Sequence, residues 1–210
     1  MKKILIAVPC MDMVSARFAQ SLATLKKVGQ CTVSFLIGSL VYDSRNRLAG
    51  MAVEMEADYI LWLDSDMVFQ PDTLERMMKV LDEHPEIDVL SGLYFRRGQP
   101  FTPVLFSKLE VNEEGLLEFA DYDALPDELF EIAGCGFGCV LMRTDCLLDI
   151  ASQEGGGVWF TPIANAGEDC AFCIRARKYG YKIYCDPNIH LGHMAYTPVT
   201  KSFYKAYKEL

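Results

Sequence analysis

Over its first hundred positions the chain alternates between short, continuous apolar runs and longer stretches in which apolar residues recur at helical spacing. The most informative run is Tyr59-Ile60-Leu61-Trp62-Leu63, which passes directly into Asp64-Ser65-Asp66-Met67. A short apolar run without polar interruption reads as a strand of a parallel sheet, buried on both faces. Residues 3–8 read as a first strand ended by Pro9, residues 31–37 as a second broken by Gly38-Ser39, and residues 58–63 as a third. Residues 11–28 predict a helix with Val14, Phe18, Leu22 and Leu25 on one face and Gly29 as its stop. Residues 44–57 predict another, with Leu48, Met51, Ala52 and Met55 at i, i+3, i+4 and i+7. Pro71 opens a third, carrying Leu74, Met77, Met78 and Leu81 inward. A strand near residues 87–91 and extended chain near 102–106 follow. Such alternation predicts an α/β fold with right-handed crossovers.

The second half is patterned differently. Residues 112–131 are acidic (Asp121, Asp123, Asp127, Glu128, Glu131) and read as a solvated loop. Residues 132–142 form an apolar run interrupted by Gly134, Gly136 and Gly138. Glycine inside a strand marks a bulge or the close approach of backbone or ligand. The run lacks the following helix and acidic residue of a dinucleotide-binding fingerprint. Glu154-Gly155-Gly156-Gly157 reads as a flexible segment, either a lid or hinge over a site or a surface loop. Gly167-Glu168-Asp169 opens a helix running to about Tyr179, with Phe172, Ala176 and Tyr179 inward and Gly180 as its stop. Carboxylates in a first turn also suit the helix dipole, whatever else they do. Residues 181–185 make a last strand before Leu191-Gly192-His193, and the Lys-, Tyr- and Phe-rich tail 201–210 reads as a short helix on the protein or on a membrane surface.

Composition narrows the function classes. With 210 residues, 51% hydrophobic and 23% charged, the chain suits a single globular domain with a sizeable core. A net charge of −9 argues against general nucleic-acid binding, which needs a basic footprint. It leaves room for a phosphorylated ligand whose charge a bound cation offsets. The apolar run after Met1-Lys2-Lys3 meets Pro9 too soon for a signal peptide or a membrane span, so no integral membrane segment and a cytoplasmic location are expected. The eight cysteines then read as reduced thiols. Cys170-x-x-Cys173 and Cys135-x-x-x-Cys139 invite a zinc reading, but the first pair falls in a helical pattern and the second in the glycine run, so small buried hydrophobes are the better reading.

Ligands of open α/β sheets bind beyond the carboxyl ends of the strands. On an extended backbone, residues two apart share a side, so Asp64 and Asp66 together would offer two carboxylates to a hard divalent cation. The ordered set of an apolar strand ending in Asp64-Ser65-Asp66, Gly167-Glu168-Asp169 opening a helix, and Leu191-Gly192-His193 after the next strand resembles the GT-A fold glycosyltransferases, closest to the family-two nucleotide-sugar transferases. The likeness runs from Ile4 to His193 and is strongest at Asp43-Ser44-Arg45-Asn46-Arg47, at residues 59–69 and at residues 167–193.

The resemblance implies a three-layer α/β sandwich around a mostly parallel sheet. It is read as one domain, with a nucleotide-sugar-binding half over residues 1–110 and an acceptor-binding, catalytic half over 111–210. It implies Asp66 and Asp64, completed by His193 rather than His190, as ligands of Mn²⁺ or Mg²⁺. It implies Asp169, in Glu168-Asp169, as catalytic base. Pro9, Asp43, Arg45, Asp64 and Ser65 would meet the nucleotide. Trp159, Phe160 and Gly136 are acceptor-side candidates, although the two aromatics suit a core equally well, while His84 reads as a surface group and Arg96-Arg97 as a solvated turn ahead of a phosphate contact. The implied reaction moves a sugar from a nucleotide-diphosphate donor, a UDP-sugar first, to a hydroxyl of a glycan, protein or small molecule, with inversion. The second strand ends without the acidic residue many members carry there, so Asp43 would have to serve. The compact chain argues against a processive synthase. A sugar-nucleotide nucleotidyltransferase, a phosphohydrolase and a non-catalytic transferase-like binding module are the rivals. The first lacks its Gly-rich basic signature at Pro9-Cys10-Met11-Asp12, and the second would want its aspartates on the first strand.

Overall fold

The computed structural model describes residues 1–38, 40–196 and 200–208; the strand break expected at Gly38-Ser39 and the end of the 201–210 tail reach into positions outside these. In chain order the elements are β1 (Lys3–Cys10), α1 (Ala16–Thr24), β2 (Gln30–Ile37), α2 (Val41–Glu54), β3 (Tyr59–Leu63), β4 (Met67–Val68), α3 (Thr73–Glu83) and β5 (Val89–Leu93). There follow β6 (Leu105–Phe106), β7 (Lys108–Val111), β8 (Leu117–Ala120), β9 (Phe130–Glu131), β10 (Gly134–Cys135), β11 (Cys139–Arg143), α4 (Asp145–Glu154), α5 (Glu168–Lys178), β12 (Ile183–His190), β13 (Gly192–His193) and α6 (Lys201–Lys208).

Seven strands form the central sheet in the order β2-β1-β3-β11-β5-β12-β9. β2, β1 and β3 are mutually parallel, as are β5 and β12, whereas β11 and β9 pair antiparallel with their neighbours. Alternation along each strand divides the core in two. Leu5 and Ala7 of β1, Ile60 and Trp62 of β3 and Val140 and Met142 of β11 pack with Leu48 of α2, Leu147 of α4 and Phe172 of α5. Ile4, Ile6, Leu61, Leu63 and Leu141 point the other way, to Phe18 of α1 and Leu74, Met77 and Leu81 of α3. The result is the three-layer α/β sandwich, one domain, with β11 from the second half of the chain inserted between β3 and β5 of the first.

Several boundaries differ from expectation for local reasons. Pro9 lies inside β1 rather than ending it, because β1 pairs with β3 only through Ala7 and one side of the strand needs no donor beyond that point. The first helix is shorter than 11–28: Ser15 caps it, its Oγ accepting from Phe18 N at 3.1 Å, and it stops at Thr24. The acidic stretch is not all loop: it holds β9 and the turn and second strand of the β7–β8 hairpin, whose turn is closed by Asn112 Oδ1 accepting from Glu114 N and Leu116 N. The helix α4 has no counterpart in the expected elements; it ends at Gly155 in the left-handed conformation, φ 81°. Among the described residues no helix is long and apolar enough to cross a membrane.

Candidate active site

The carboxyl ends of β1, β3 and β5 open onto one cleft of about 520 Å³, lined by Pro9, Cys10 and Met11, by Ser44 and Arg45, by Asp64, Ser65 and Asp66, by Tyr94, Arg96 and Arg97, and by Phe137, Glu168, Asp169 and His193. A cavity of about 580 Å³ at the opposite sheet edge is lined by Lys2, Tyr59 and Arg143 among others. It holds no comparable set: the Arg143 guanidinium there is spent on Ile87 O, Tyr59 Oη and Leu81 O.

Asp64 and Asp66 share the cleft, near enough that the Asp66 charge acts on Asp64. The backbone turns immediately after β3, with Met67 N donating to Asp64 O at 3.1 Å, so the extended geometry expected of the pair does not hold. Asp64 continues the β3 alternation toward α2, where Arg45 Nη2 donates to its Oδ1 at 2.8 Å. Burial pushes the Asp64 carboxyl above its ordinary value, against the pull of Arg45. Asp66 has different partners, His193 and Arg97. β4 and β13 form a two-strand ladder that sets His193 opposite Met67, and Met194 N donates to Asp66 O at 2.9 Å. His193 Nε2 thereby lies 3.4 Å from Asp66 Oδ2, and Arg97 Nη1 donates to the same oxygen at 2.8 Å. Burial works against the Asp66 charge, but His193 and Arg97 outweigh it and hold the carboxyl below its ordinary value. The hydrogen bond to Asp66 in turn raises His193. The other ring nitrogen, Nδ1, sits 2.9 Å from Phe95 O, which orients the imidazole with Nε2 into the cleft. His190 is exposed, and His84 is half-buried and pairs with Glu86.

On the far wall α5 begins at the rim. Asp169 Oδ1 accepts from Cys170 N at 2.7 Å, and Glu168 Oε1 lies 3.4 Å from Arg45 Nε. The glycine run lies behind them, with Phe137 reaching the cleft lining. A Cβ on Gly138 would come within 2.8 Å of Tyr94 Cζ, and one on Gly136 within 2.7 Å of Val104 Cγ1 and 3.5 Å of Asp169 Oδ2. The glycines therefore admit the Tyr94 ring, which stands edge-on to His193 at 5.5 Å and accepts from Gly138 N through its hydroxyl.

Four expected site residues do not line the cleft: Asp43, Gly136, Trp159 and Phe160, with Gly136 buried against Tyr94 and Val104. Asp43 sits on the exposed side of the first turn of α2, 3.9 Å from Arg47. Trp159 and Phe160 belong to the core and present no face to a sugar: they are 6% and 0% exposed, Trp159 Nε1 donates to Leu147 O, and Phe160 stacks on Phe172 at 4.7 Å. Phe160→Ala is accordingly expected to lower the unfolding free energy by about 3–5 kcal/mol in a urea titration, the range for deleting a fully buried aromatic; a loss near zero would return Phe160 to the surface. Gly155–Gly157 do not line the cleft either, nor do the acidic residues of 112–131. The four cysteines of the zinc reading are buried, with Cys173 Sγ donating to Cys135 O at 3.7 Å and Cys139 facing Met77 in the other half of the core. Tyr94 is a cleft residue that no sequence pattern singles out, since it follows an ordinary strand, and Arg97, read first as part of a solvated turn, lies in the cleft and donates to Asp66.

The sheet order, the three layers and the cleft at the strand ends are those of the GT-A glycosyltransferase fold. The chain matches the family model described as Glycosyl transferase family 2 over residues 43–148, half of its length, and it belongs to that family. It is 26% identical over 176 residues to the mannan polymerase complex subunit mnn9 of Schizosaccharomyces pombe, an alignment covering 71% of this chain and 50% of that protein, so the chain spans half the length of this relative. The crystal structure of A197 from STIV is similar over 96% of this chain and 97% of that one, with TM-score 0.55 and 17% identity. That of S. aureus TarS 1–349 is similar over 92% of this chain and 60% of that one, with TM-score 0.57 and 18% identity.

Proposed function

We propose that the chain is a metal-dependent glycosyltransferase that moves a sugar from a nucleoside-diphosphate donor to a hydroxyl acceptor with inversion. The observation that carries this reading is the meeting, in one cleft of a family-two chain, of the Asp66–His193 pair and the Asp169 carboxylate.

Mn²⁺ or Mg²⁺ fits the donor set. Among the described residues no three His, Cys, Asp or Glu side chains are grouped to hold an ion by themselves. A cation that binds together with a diphosphate needs only one or two protein ligands and takes its other oxygens from phosphate and water. Asp66 Oδ2 and His193 Nε2 supply such a pair, one oxygen and one nitrogen, a mixed set that suits Mn²⁺ at least as well as Mg²⁺. Phe95 O fixes the ring so that Nε2 is the nitrogen presented. When bound, such an ion offsets the charge that develops on the departing diphosphate. Asp64 is committed to Arg45 and acts on the site through that pair.

The chain's own residues supply the rest. Pro9, Cys10, Met11 and Ser65 line the donor end, and Arg97 adds a cation to the wall that carries Asp66. Asp169 accepts the proton of the acceptor hydroxyl. Inversion would follow from a hydroxyl that attacks from the face of the sugar away from the leaving group with Asp169 as its base. The donor sugar follows no feature of the cleft, so UDP-sugars lead the panel to test, and the name of the S. pombe relative adds a mannose-carrying donor.

The test is release of nucleoside diphosphate from UDP-, GDP- and CDP-sugars with Mn²⁺, with and without added glycan acceptors. Release from one donor class, dependent on the cation, is expected. Release of pyrophosphate from a nucleoside triphosphate and a sugar phosphate would identify a nucleotidyltransferase instead, and nucleotide binding without release from any donor would identify a binding module.

A further inference from the structure

Arg45 is only 2% exposed, although it belongs to the wall of a cleft. Its guanidinium is spent in two directions: Nη2 donates to Asp64 Oδ1 at 2.8 Å, and Nε lies 3.4 Å from Glu168 Oε1. Cζ stands 5.7 Å from the Trp62 ring, 5.5 Å from Phe137 and 5.9 Å from Phe160, so aromatic rings box in the remaining sides. Nη1, closed off from solvent, has no hydrogen-bond partner. A buried guanidinium with one nitrogen left unpaired is not arranged for maximal hydrogen bonding. It is arranged to hold one plane.

The two carboxylates it joins come from different parts of the fold. Asp64 is the first residue after β3 and leads into the turn that aims Asp66 at His193. Glu168 is the first residue of α5, and its neighbour is Asp169. We propose that Arg45 is a positioning residue that fixes the distance between the Asp64–Asp66 turn and the start of α5, and so between the leaving-group wall and the Asp169 carboxylate, rather than a group that contacts the donor. The idea rests on the glycosyltransferase reading for its catalytic consequence and on the geometry alone for its structural one. A fork with donors on two edges can join two carboxylates in a set plane; a lysine, being a single point charge on a flexible stem, cannot. Charge balance agrees: Asp64, Glu168 and Asp169 together hold the Arg45 charge firmly in place against the cost of its burial.

Arg45→Lys and Glu168→Gln, each checked for folding by circular dichroism, test this with two independent readings. In turnover with the donor that the wild type uses, both variants should keep the nucleotide dissociation constant within about threefold while kcat falls about 10²-fold, the cost of a misplacement near 1 Å. The double variant should be no slower than the worse single, because the pair acts as one unit. In hydrogen exchange, which needs no substrate, the amides of Ala171 and Phe172 in the first turns of α5 should exchange at least about tenfold faster in Arg45→Lys than in wild type, while those of β1 stay unchanged. Nucleotide binding lost with kcat retained would make Arg45 a donor ligand and overturn the proposal. Unchanged exchange at the start of α5 would overturn it as well. A wild type that turns over no sugar nucleotide, with the exchange difference present, would sink the transferase reading and leave the positioning role standing.

Discussion

Asp169→Asn is expected to lower kcat by about 10²–10⁴-fold, the usual contribution of a positioned general base, with nucleotide affinity unchanged. The substitution is the cleanest available because it removes little else. Asp169 Oδ1 accepts from Cys170 N at 2.7 Å, and an asparagine oxygen can take the same hydrogen bond and keep the side chain where it is. What asparagine cannot do is accept the acceptor's proton. Glu168 is no substitute, since its Oε1 lies against Arg45 and its side chain is more than four-fifths buried. The measurement is steady-state turnover alongside a nucleotide titration. A kcat near wild type would move the base elsewhere in the cleft, whereas loss of nucleotide affinity with kcat intact would make Asp169 a donor ligand.

Asp66→Ala is expected to weaken cation-dependent nucleotide binding by at least about 10–100-fold, since losing even a residue that supports a metal ligand costs that much. Asp66 is the common partner of His193 and Arg97, so its removal also frees an imidazole and a guanidinium that it now orients. The fold should survive, because the carboxylate is partly exposed and the β4–β13 ladder that holds His193 is made by backbone groups. Thermal melting and Mn²⁺ titration in the presence of the nucleotide separate the two effects. Unchanged cation dependence in a folded Asp66→Ala variant would take Asp66 out of the donor site.

The parts of this molecule that could be read from sequence are those where local pattern and tertiary burial agree. β1, β3, α3 and α5 are recognisable because each is buried on the sides its apolar residues define. The order Asp64-Ser65-Asp66, Glu168-Asp169, His193 anticipated one cleft because strand ends of an α/β sheet converge whatever the connections between them. What failed was geometry over a few residues. A turn at Ser65-Asp66 replaces the extended backbone on which the two carboxylates were paired, although Asp and Ser are themselves common turn residues. Trp159 and Phe160 carry the same side chains whether they stack on a sugar or fill a core; the decision is made by Trp62, Phe137 and Phe172, distant in sequence. The antiparallel insertion of β11 is likewise a long-range pairing, and its apolar residues would look the same in either direction. Arg45 was legible as a site residue but not as a buried one, since its burial depends on three aromatic rings and a carboxylate from α5.

Calorimetric titration of UDP, GDP and CDP into the wild-type chain, with and without Mn²⁺, is the most direct test of a cation–diphosphate site in this cleft. Binding of one nucleotide that tightens at least about tenfold with Mn²⁺, a gain of about 1.4 kcal/mol, is the expected result. If none of the three binds in either condition, the cleft does not hold a nucleoside diphosphate, and Asp66 and His193 are a structural ion pair at the end of a strand.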